Sequence, residues 1–470
     1  MTPKDETKVL VLSLLLTAGI ICTAFWWFTN DNKKEIVDDF LNFIKYREAR
    51  ISLGSQILVK ANTNSDKEAG VQAFAANDYT TAVAKFQSSR DKNKNDPEVL
   101  IYLNNAKAAA NSDPVKIAVS VPIGGNLNVA KEILRGVAMA QDEVNRSRSI
   151  NGKLLQVEIA NDNNDPEIAK EIAAELVKDS SVSGVIAHNS SNVSIAAAPI
   201  YQKGGLVTVS PSSTAKELSG IGSYLFRTVP SSSVEAKTLS DYAIKTARIT
   251  NIAICADSQN RASQSFKEEF TLAFEADKGK VARTDCDFSD LKVNPSTAVS
   301  QAISNGADGL LLVPSVDKIN QAVEIAIANK NRLPLFSYSV MYTFKTLQSG
   351  QEKVNGMVLT VPWHPAAFPG NPFPSNAFEL WGGSVNWRTA LAYDAAKAII
   401  TGLKQSNTRA GLQQALHNEG FLIDGTTGKF KFLPSGDRAT ATRRERHGAA
   451  ILVQVQPGRQ SNTGYDFIPF

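Results

Sequence analysis

From residue 115 onward, short apolar runs alternate with amphipathic segments. The run VKIAVSV begins at Val115, and similar runs follow it: LLQVEIA (154–160), GVIA (184–187), GLVTV (205–209), NIAICA (251–256), DGLLLVP (308–314) and LPLFSY (333–338). Helical spacing lies between them, as in residues 165–179, where Asp165 is a cap residue and Pro166 opens the first turn. This alternation predicts parallel sheets that helices cover on both faces, and the number of units predicts two α/β lobes.

A different, helical pattern occupies residues 70–109. Small and aromatic side chains there fall at the spacing of a helix–turn–helix tetratricopeptide repeat: Gly70, Ala73, Ala82 and Phe86. Asp78 is the expected turn or cap residue between the two helices, and Asp96 with Pro97 opens a third helix. One repeat does not bury a stacked core by itself. The segment is therefore either a helical spacer packed against its neighbours or a peptide-docking module.

The N-terminal residues predict a membrane anchor. The stretch from Val9 to Phe28 contains no charged residue and is long enough to cross a bilayer as a helix. Trp26 and Trp27 lie where an interfacial aromatic belt would be. A cleaved signal peptide is the alternative, but no clear cleavage site follows the stretch. We expect an uncleaved anchor or signal-anchor in residues 1–30, then a stalk and tetratricopeptide-like helices in residues 31–112.

Hydroxyl side chains cluster just past two successive apolar runs. They follow GVIA and GLVTV and are Ser190, Ser191, Ser194, Ser212, Ser213 and Thr214. In parallel sheets, ligands bind beyond the carboxyl ends of the strands, and a helix beginning near Ser190 would point free N–H groups at the same place. Hydroxyls and free N–H groups suit a small carboxylate. The alternative is that Ser191 merely caps its helix.

Other kinds of chemistry have little support in the sequence. The net charge of +4 is spread over 470 residues without the basic face of a nucleic-acid-binding protein, and the one basic run, 438–446, is either a solvated hairpin or a partner site. STAK (213–216) matches a pattern of penicillin-recognising enzymes whose companion motifs are missing. The four histidines lack metal-ligand spacing, and there is no phosphate-binding loop. We expect no catalysis, cofactor or metal.

Five stretches resemble the leucine/isoleucine/valine-binding proteins, which have the type I periplasmic binding fold and serve ABC transporters. They are ILRGVAMAQDEVN (133–145), DNNDPEIAKEIA (162–173), residues 184–214 with the hydroxyl clusters, VNWRTALAYDAAKAI (385–399) and DGTTGKFKFLPSGDR (424–438). The chain also resembles a cyanobacterial, membrane-tethered version of that family, because the predicted anchor is followed by ISLGSQILV and NDPEVLIYLNNA. The implied fold is α/β and two-lobed, preceded by a transmembrane helix and a short helical repeat-like segment.

The resemblance also implies domain boundaries and a ligand. The binding domain would span residues 115–470, with lobe 1 at about 115–229 and 366–416 and lobe 2 at about 230–365 and 417–470. In the family, the lobes close on an amino acid, whose carboxylate and amine meet hydroxyl and main-chain groups after the third and fourth strands of lobe 1. The residues that match those positions are Ser191, Ser212 and Thr214.

The remaining family positions match less well. The aromatic residue of the first loop falls at Val129, the lobe-2 tyrosine at Ala262, and the acid that meets the ligand ammonium near Ser339. Two acids at neighbouring strand ends, Asp257 and Asp317, are candidate replacements for it. Alternatively, a ring face would come from Tyr338 or Tyr342.

An ammonium without a counter-charge is poorly compensated in a closed cleft. We therefore expect either a carboxylate without an amine or one whose amine reaches Asp257 or Asp317. Plain branched-chain amino acids should bind weakly.

Two functions fit these expectations. The first is a solute-binding protein in the inner membrane, with its binding domain on the periplasmic side, for ABC-type uptake or sensing through a permease partner. The second is a ligand-independent envelope regulator that reuses the fold. We also expect a disulfide between Cys255 and Cys286, which end runs that read as adjacent strands; two unpaired thiols are the alternative.

Overall fold

The computed structural model describes residues 50–61, 63–111, 113–440 and 450–470. The predicted anchor, the stalk up to residue 49 and most of the basic run lie outside these residues. Within the described ranges, no helix is long and apolar enough to cross a bilayer. The membrane anchor therefore stays a prediction.

Lobe 1 is built on five parallel strands in the order β3-β2-β4-β5-β6. The strands, preceded in the chain by the two-residue β1 (Ile51–Ser52), are β2 (Val115–Val121), β3 (Leu155–Asn161), β4 (Val182–Ile186), β5 (Thr208–Ser210) and β6 (Leu225–Arg227). The connecting helices are α4 (Leu127–Ser147), α5 (Pro166–Lys178) and α6 (Ser191–Gly204). Asp165 caps α5 through the N–H groups of Glu167 and Ile168, as the sequence predicts. The alternating strands and helices that the apolar runs and helical spacing predict are therefore present in this lobe.

Lobe 2 is built on a seven-stranded sheet in the order β16-β15-β11-β10-β9-β7-β8. Its strands are β7 (Asn251–Ala256), β8 (Lys280–Ala282), β9 (Gly309–Val313), β10 (Leu335–Ser337), β11 (Val358–Val361), β15 (Ile451–Pro457) and β16 (Tyr465–Pro469). The last two strands pair antiparallel, and the other five are parallel. Its helices are α7 (Ser232–Lys245), α8 (Arg261–Ala276), α9 (Pro295–Ser304), α10 (Ile319–Asn329) and α11 (Phe344–Gly350).

After β11, the chain returns to lobe 1. It forms three helices and a small antiparallel sheet: α12 (Phe373–Trp381), α13 (Trp387–Gln405), α14 (Arg409–His417), β12 (Ile423–Gly425), β13 (Gly428–Phe432) and β14 (Arg438–Thr440). Ion pairs fix this sheet to lobe 1, with Arg227 at 2.5 Å from Asp437 and Arg438 at 2.8 Å from Asp394. Residues 423–440 therefore lie with lobe 1, which differs from the expected change of lobe at 417. Arg438, at the start of the basic run, is buried in its ion pair rather than solvated.

The segment with repeat-like spacing forms three helices: α1 (Ser65–Ala75), α2 (Tyr79–Lys92) and α3 (Pro97–Ala109). Asp78 caps α2 through the Thr81 N–H at 3.0 Å, and Asp96 caps α3 through the Val99 N–H at 3.2 Å. The predicted helices and caps are confirmed. Their assignment as a tetratricopeptide repeat stays a prediction.

Helix α3 packs directly against lobe 1. The Asn105 side chain donates to the Val157 carbonyl at 2.7 Å and accepts from the Val157 N–H at 2.8 Å, so the helix side chain pairs with the backbone of β3. The buried Lys67 ammonium lies 2.7 Å from a carboxylate oxygen of both Asp96 and Glu98, which joins α1 to α3. These buried polar contacts favour the helical-spacer interpretation of the segment.

Cys255 and Cys286 form a disulfide, with Cα atoms 4.7 Å apart. Cys255 lies in β7, and Cys286 follows β8, its parallel neighbour. The sequence hypothesis is therefore confirmed, because a right-handed crossover places these two strands side by side.

Candidate functional site

A cavity of about 40 Å³, which we call the inner cavity, lies between the lobes at the carboxyl ends of their strands. Lobe 1 lines it with Asn164, Asn189, Ser190, Ser191, Ser212, Thr214, Trp387 and Arg388. Lobe 2 lines it with Asn260, Ala262, Ser315, Val316, Tyr338, Ser339 and Val340. The structure thus brings four of the candidate site residues together: Ser191, Ser212, Thr214 and Ser339.

The serines after β4 and β5 connect the two loops of lobe 1. The Ser212 hydroxyl donates to the Asn189 carbonyl at 3.1 Å, and the Ser194 and Ser213 hydroxyl oxygens lie 2.8 Å apart. All four residues are buried. Ser194 and Ser213 do not line the inner cavity, so their role is to hold the loops that present the other hydroxyls.

The start of α6 faces this cavity without a side-chain cap. Ser190 is the N-cap residue and makes no capping hydrogen bond through its side chain. Ser191 is the first helical residue, and its Oγ accepts the Ala215 N–H at 3.1 Å. Ser191 is therefore not the cap of its own helix. Uncapped N–H groups and the positive end of the helix dipole favour an anion at this point.

On the lobe 2 side, Ser339 is hydrogen-bonded to a buried acid, Glu235, that sequence reasoning missed. The Ser339 hydroxyl donates to Glu235 Oε1 at 3.3 Å, and the Thr360 hydroxyl donates to Oε2 at 3.4 Å. Burial raises the pKa of the Glu235 carboxyl to about 7, although these hydrogen bonds act in the opposite direction. Glu235 comes from α7 and lies behind Ser339, outside the cavity lining.

Asp257, Asp317 and Tyr342 do not line the inner cavity. The Asp257 carboxylate is buried and accepts the Gln259 N–H at 3.1 Å. Asp317 lies on a neighbouring cavity, where burial and the negative charge of Asp257 raise the pKa of its carboxyl. The Tyr342 ring packs on Phe467, with ring centroids 4.4 Å apart. Of the two candidate tyrosines, only Tyr338 contributes to the inner cavity, and its hydroxyl donates to the Pro314 carbonyl at 2.5 Å.

A second cavity of about 760 Å³, the outer cavity, adjoins the first. The two cavities share Val316 and Arg388, and Val129 and Asp317 lie on the outer one only. A volume of this size is in the range of small-molecule pockets. Arg388 therefore lies at the boundary between the two cavities.

Arg388 and Trp387 are site residues that sequence reasoning missed. They begin α13, and the only signal for them in the sequence is the family likeness of residues 385–399. The Trp387 indole N–H donates to the Ser339 carbonyl at 3.1 Å, and the Arg388 Cζ atom lies 4.2 Å from the Trp387 ring centroid. Burial lowers the pKa of the Arg388 guanidinium to about 10, so it stays charged at neutral pH.

Hydrogen bonds across the cleft hold the two lobes together. Besides the Trp387–Ser339 bond, the Asn192 amide of α6 donates to the Gln259 carbonyl at 3.0 Å and accepts the Arg261 N–H at 2.8 Å. The lobes are therefore in contact on the side where the candidate site lies.

Comparison with known proteins identifies the family that has this two-lobed architecture. The periplasmic binding protein family matches residues 114–459. The chain belongs to this family. Periplasmic binding proteins are a solute-binding class without enzymatic activity, in agreement with the expectation that the chain is not an enzyme. This periplasmic binding protein also has no cluster of potential metal ligands among its described residues.

Individual relatives agree with the family. The chain is 29% identical to the leucine-, isoleucine-, valine-, threonine- and alanine-binding protein of Pseudomonas aeruginosa over 150 aligned residues. This alignment covers 32% of this chain and 40% of the relative. The curated relatives are thus matched over about two fifths of their length.

Two solved structures share the two-lobed fold. A leucine-binding protein from Thermotoga maritima has a TM-score of 0.65 at 19% identity, covering 75% of this chain and 97% of the other. A solute-binding protein of R. palustris in complex with 4-hydroxybenzoate has a TM-score of 0.65 at 15% identity, covering 76% and 96%. At these low identities, both structures show similarity of fold alone.

Proposed function

We propose that this chain is a solute-binding protein that holds a small carboxylate between its two lobes. The observation that carries the proposal is the inner cavity, where the uncapped start of α6 meets the hydroxyls of Ser191, Ser212 and Thr214. Hydroxyl and N–H donors satisfy a carboxylate, and both lobes contribute to the lining. This arrangement explains why the hydroxyl clusters follow two neighbouring strands.

The relatives' ligands support the carboxylate and leave the rest of the molecule open. The P. aeruginosa relative is named for amino acids, whereas the R. palustris neighbour is in complex with 4-hydroxybenzoate, which has a carboxylate and no amine. The carboxylate is common to both. We therefore assign the α6 side of the cavity to the carboxylate of an amino acid or another organic acid.

The ligand enters when the lobes separate. The inner cavity has room for about three water molecules, at 10–15 Å³ each, which is too little for a molecule the size of leucine. Hinge closure around a ligand is a common motion of two-lobed proteins. The cross-cleft bonds of Asn192 and Trp387 then belong to the closed form.

The cellular setting completes the proposal. The apolar stretch from Val9 to Phe28 would anchor the chain in the inner membrane, with residues 115–470 on the periplasmic side and an ABC permease or a sensor as partner. The Cys255–Cys286 disulfide supports an oxidising compartment. The helices α1–α3 would then be a spacer between anchor and lobes.

A thermal-shift screen of the detergent-solubilised full chain tests the ligand. The probes are amino acids, 2-oxo acids and aromatic carboxylates, each with its amide as the uncharged control. A carboxylate at one hundred times its Kd should add about 2.7 kcal/mol of stability, and its amide should add none. If no carboxylate stabilises the protein, the ligand-independent regulator becomes the better function, and copurification with an envelope enzyme instead of a permease would support it.

A further inference from the structure

Among the described residues that line the inner cavity, Arg388 is the only one with a charged side chain. Arg388 is 3% exposed, and its Nε has no hydrogen-bond partner among the described residues. Within the same ranges, no ion pair joins its guanidinium to a carboxylate; its contact is the face of the Trp387 ring. A buried cation without a carboxylate partner is costly, so this one needs an explanation.

The two carboxylates whose charges act on Arg388, those of Glu132 and Glu235, are engaged elsewhere. Glu132 forms an ion pair with Arg135 and accepts a hydrogen bond from the Thr389 hydroxyl. Glu235 accepts the hydroxyls of Ser339 and Thr360. Both acids act on Arg388 only at a distance. Since Arg388 lines both cavities and neither acid occupies its guanidinium, its N–H donors are available to a ligand there.

Arg388 and the start of α6 favour the same ligand charge. Both line a cavity of about 40 Å³, and both attract an anion. No acid lines that cavity within the described residues. An ammonium bound there would lie near the guanidinium without a counter-charge, which a weakly screened interior makes unfavourable.

We propose that Arg388 is a ligand-binding residue, and that the cleft selects organic anions without an ammonium group, such as 2-oxo acids or aromatic carboxylates, over zwitterionic amino acids. The inference rests on the proposed solute-binding function and specifies its ligand class. The guanidinium presents a planar fork of N–H donors that matches a carboxylate in two parallel hydrogen bonds. The Trp387 ring under the guanidinium holds that fork in place.

The first test compares two ligands on the wild-type full chain by calorimetry. Leucine and its 2-oxo acid differ at one carbon, where an ammonium replaces a carbonyl, and benzoate serves as a second amine-free probe. We expect the 2-oxo acid to bind at least tenfold more tightly than leucine. Leucine binding as tight as or tighter than the 2-oxo acid would overturn the inference.

The second test changes the residue. Arg388→Gln should weaken binding of the amine-free acid at least tenfold, whereas the melting temperature without ligand should stay the same or rise, because an unpaired buried charge is removed. Arg388→Lys keeps the charge without the fork and should bind with intermediate affinity. Arg283→Gln, at an exposed position after β8, is the matched control and should change neither quantity.

The outcomes separate this inference from the function on which it rests. If no carboxylate binds the wild type, the solute-binding function fails and the inference fails with it. If leucine binds tightly and Arg388→Gln leaves its affinity intact, the function stands and the inference alone is wrong. A lower melting temperature with unchanged affinity would show that Arg388 is a structural cation. If Arg388→Gln does not fold, the comparison of the two ligands on the wild type decides.

Discussion

The Ser191 hydroxyl has a structural role and, in the proposed function, also a binding role. Its oxygen accepts the Ala215 N–H, which joins the loop after β4 to the loop after β5, and the side chain lines the inner cavity. A hydroxyl that accepts one hydrogen bond still has its own hydrogen to donate. The contact to Ala215 therefore leaves that hydrogen available for the proposed ligand carboxylate.

Ser191→Ala should weaken carboxylate binding by about ten- to hundredfold, because a hydrogen bond to a charged group contributes about 1.5–3 kcal/mol. It should also lower the free energy of unfolding by about 1–3 kcal/mol, since the Ala215 N–H loses its acceptor. Calorimetry and urea unfolding measure the two effects. Ser180→Ala, at an exposed position, is the control. Unchanged affinity in Ser191→Ala would remove this hydroxyl from the site.

Glu235 makes stability depend on pH. Its pKa is raised to about 7 in the folded protein by burial, from an ordinary value of 4.5. Below pH 4.5 the carboxyl is protonated in both states; above it, ionisation favours the unfolded chain until the folded carboxyl also ionises near pH 7. The Glu235 contribution is thus complete below pH 4.5 and is lost as the pH rises to about 7.

The difference between the two pKa values corresponds to about 3 kcal/mol. Glu235→Gln should therefore become more stable relative to the wild type by roughly this amount between pH 4.5 and 7. Urea unfolding at a series of pH values measures the difference, with Glu171→Gln on the surface as control. A constant difference across this range would mean that Glu235 titrates normally.

At the scale of elements, the disulfide joins β7 to the segment after β8. Cys255 and Cys286 are 31 residues apart in sequence, and the loop between them contains the whole of α8. Both cysteines are buried in the core of lobe 2. The crosslink therefore fixes the edge of that sheet, where the short β8 pairs with one strand, β7, among the described residues.

Reduction of this disulfide should lower the free energy of unfolding by about 2–4 kcal/mol, mainly because the unfolded chain gains conformational freedom. The measurement is urea unfolding with and without reductant, and the Cys255→Ser/Cys286→Ser double variant is the control that reductant should not affect. Thiol labelling of the unfolded, unreduced wild type should find both cysteines blocked. Equal stability with and without reductant would contradict the expected contribution.

At the scale of the whole molecule, Asn192 links the two lobes without lining the inner cavity. Its amide makes two hydrogen bonds to the backbone at the start of α8, one to the Gln259 carbonyl and one from the Arg261 N–H. Both bonds exist only while the lobes are in contact. Asn192 therefore stabilises the closed form relative to an open one, and a ligand that binds between the lobes benefits from it.

Asn192→Ala should weaken ligand binding by about 3- to 30-fold, as expected for two partly exposed hydrogen bonds. Small-angle scattering should show a larger radius of gyration for the variant at subsaturating ligand. Asn111→Ala, at the end of α3, is the control, since its side chain bonds only within its own helix. A variant with wild-type affinity and radius would show that these bonds do not control closure.

Local pattern was sufficient for much of the fold. Apolar runs identified β2, β7 and β9 nearly to the residue, and the cap residues Asp96 and Asp165 marked the starts of their helices. Because successive strands of such a sheet tend to lie side by side, the sequence also predicted that the two hydroxyl clusters are neighbours and that Cys255 and Cys286 form a disulfide. These features depend on residues close in sequence or on the handedness of crossovers, which is nearly invariant.

The charges of the site depended on contacts between distant parts of the chain. Glu235 reaches Ser339 from another helix, and Arg388 enters the cleft from a helix nearly two hundred residues after Ser191. Asp257 and Asp317, the two acids that the sequence suggested as partners of a ligand ammonium, lie outside the inner cavity. The sequence by itself determined the elements and the side of the cleft that carries the hydroxyl clusters, because period and caps are local. Only the tertiary structure decided which buried charges face the cavity, since no local pattern encodes which distant helix supplies a side chain.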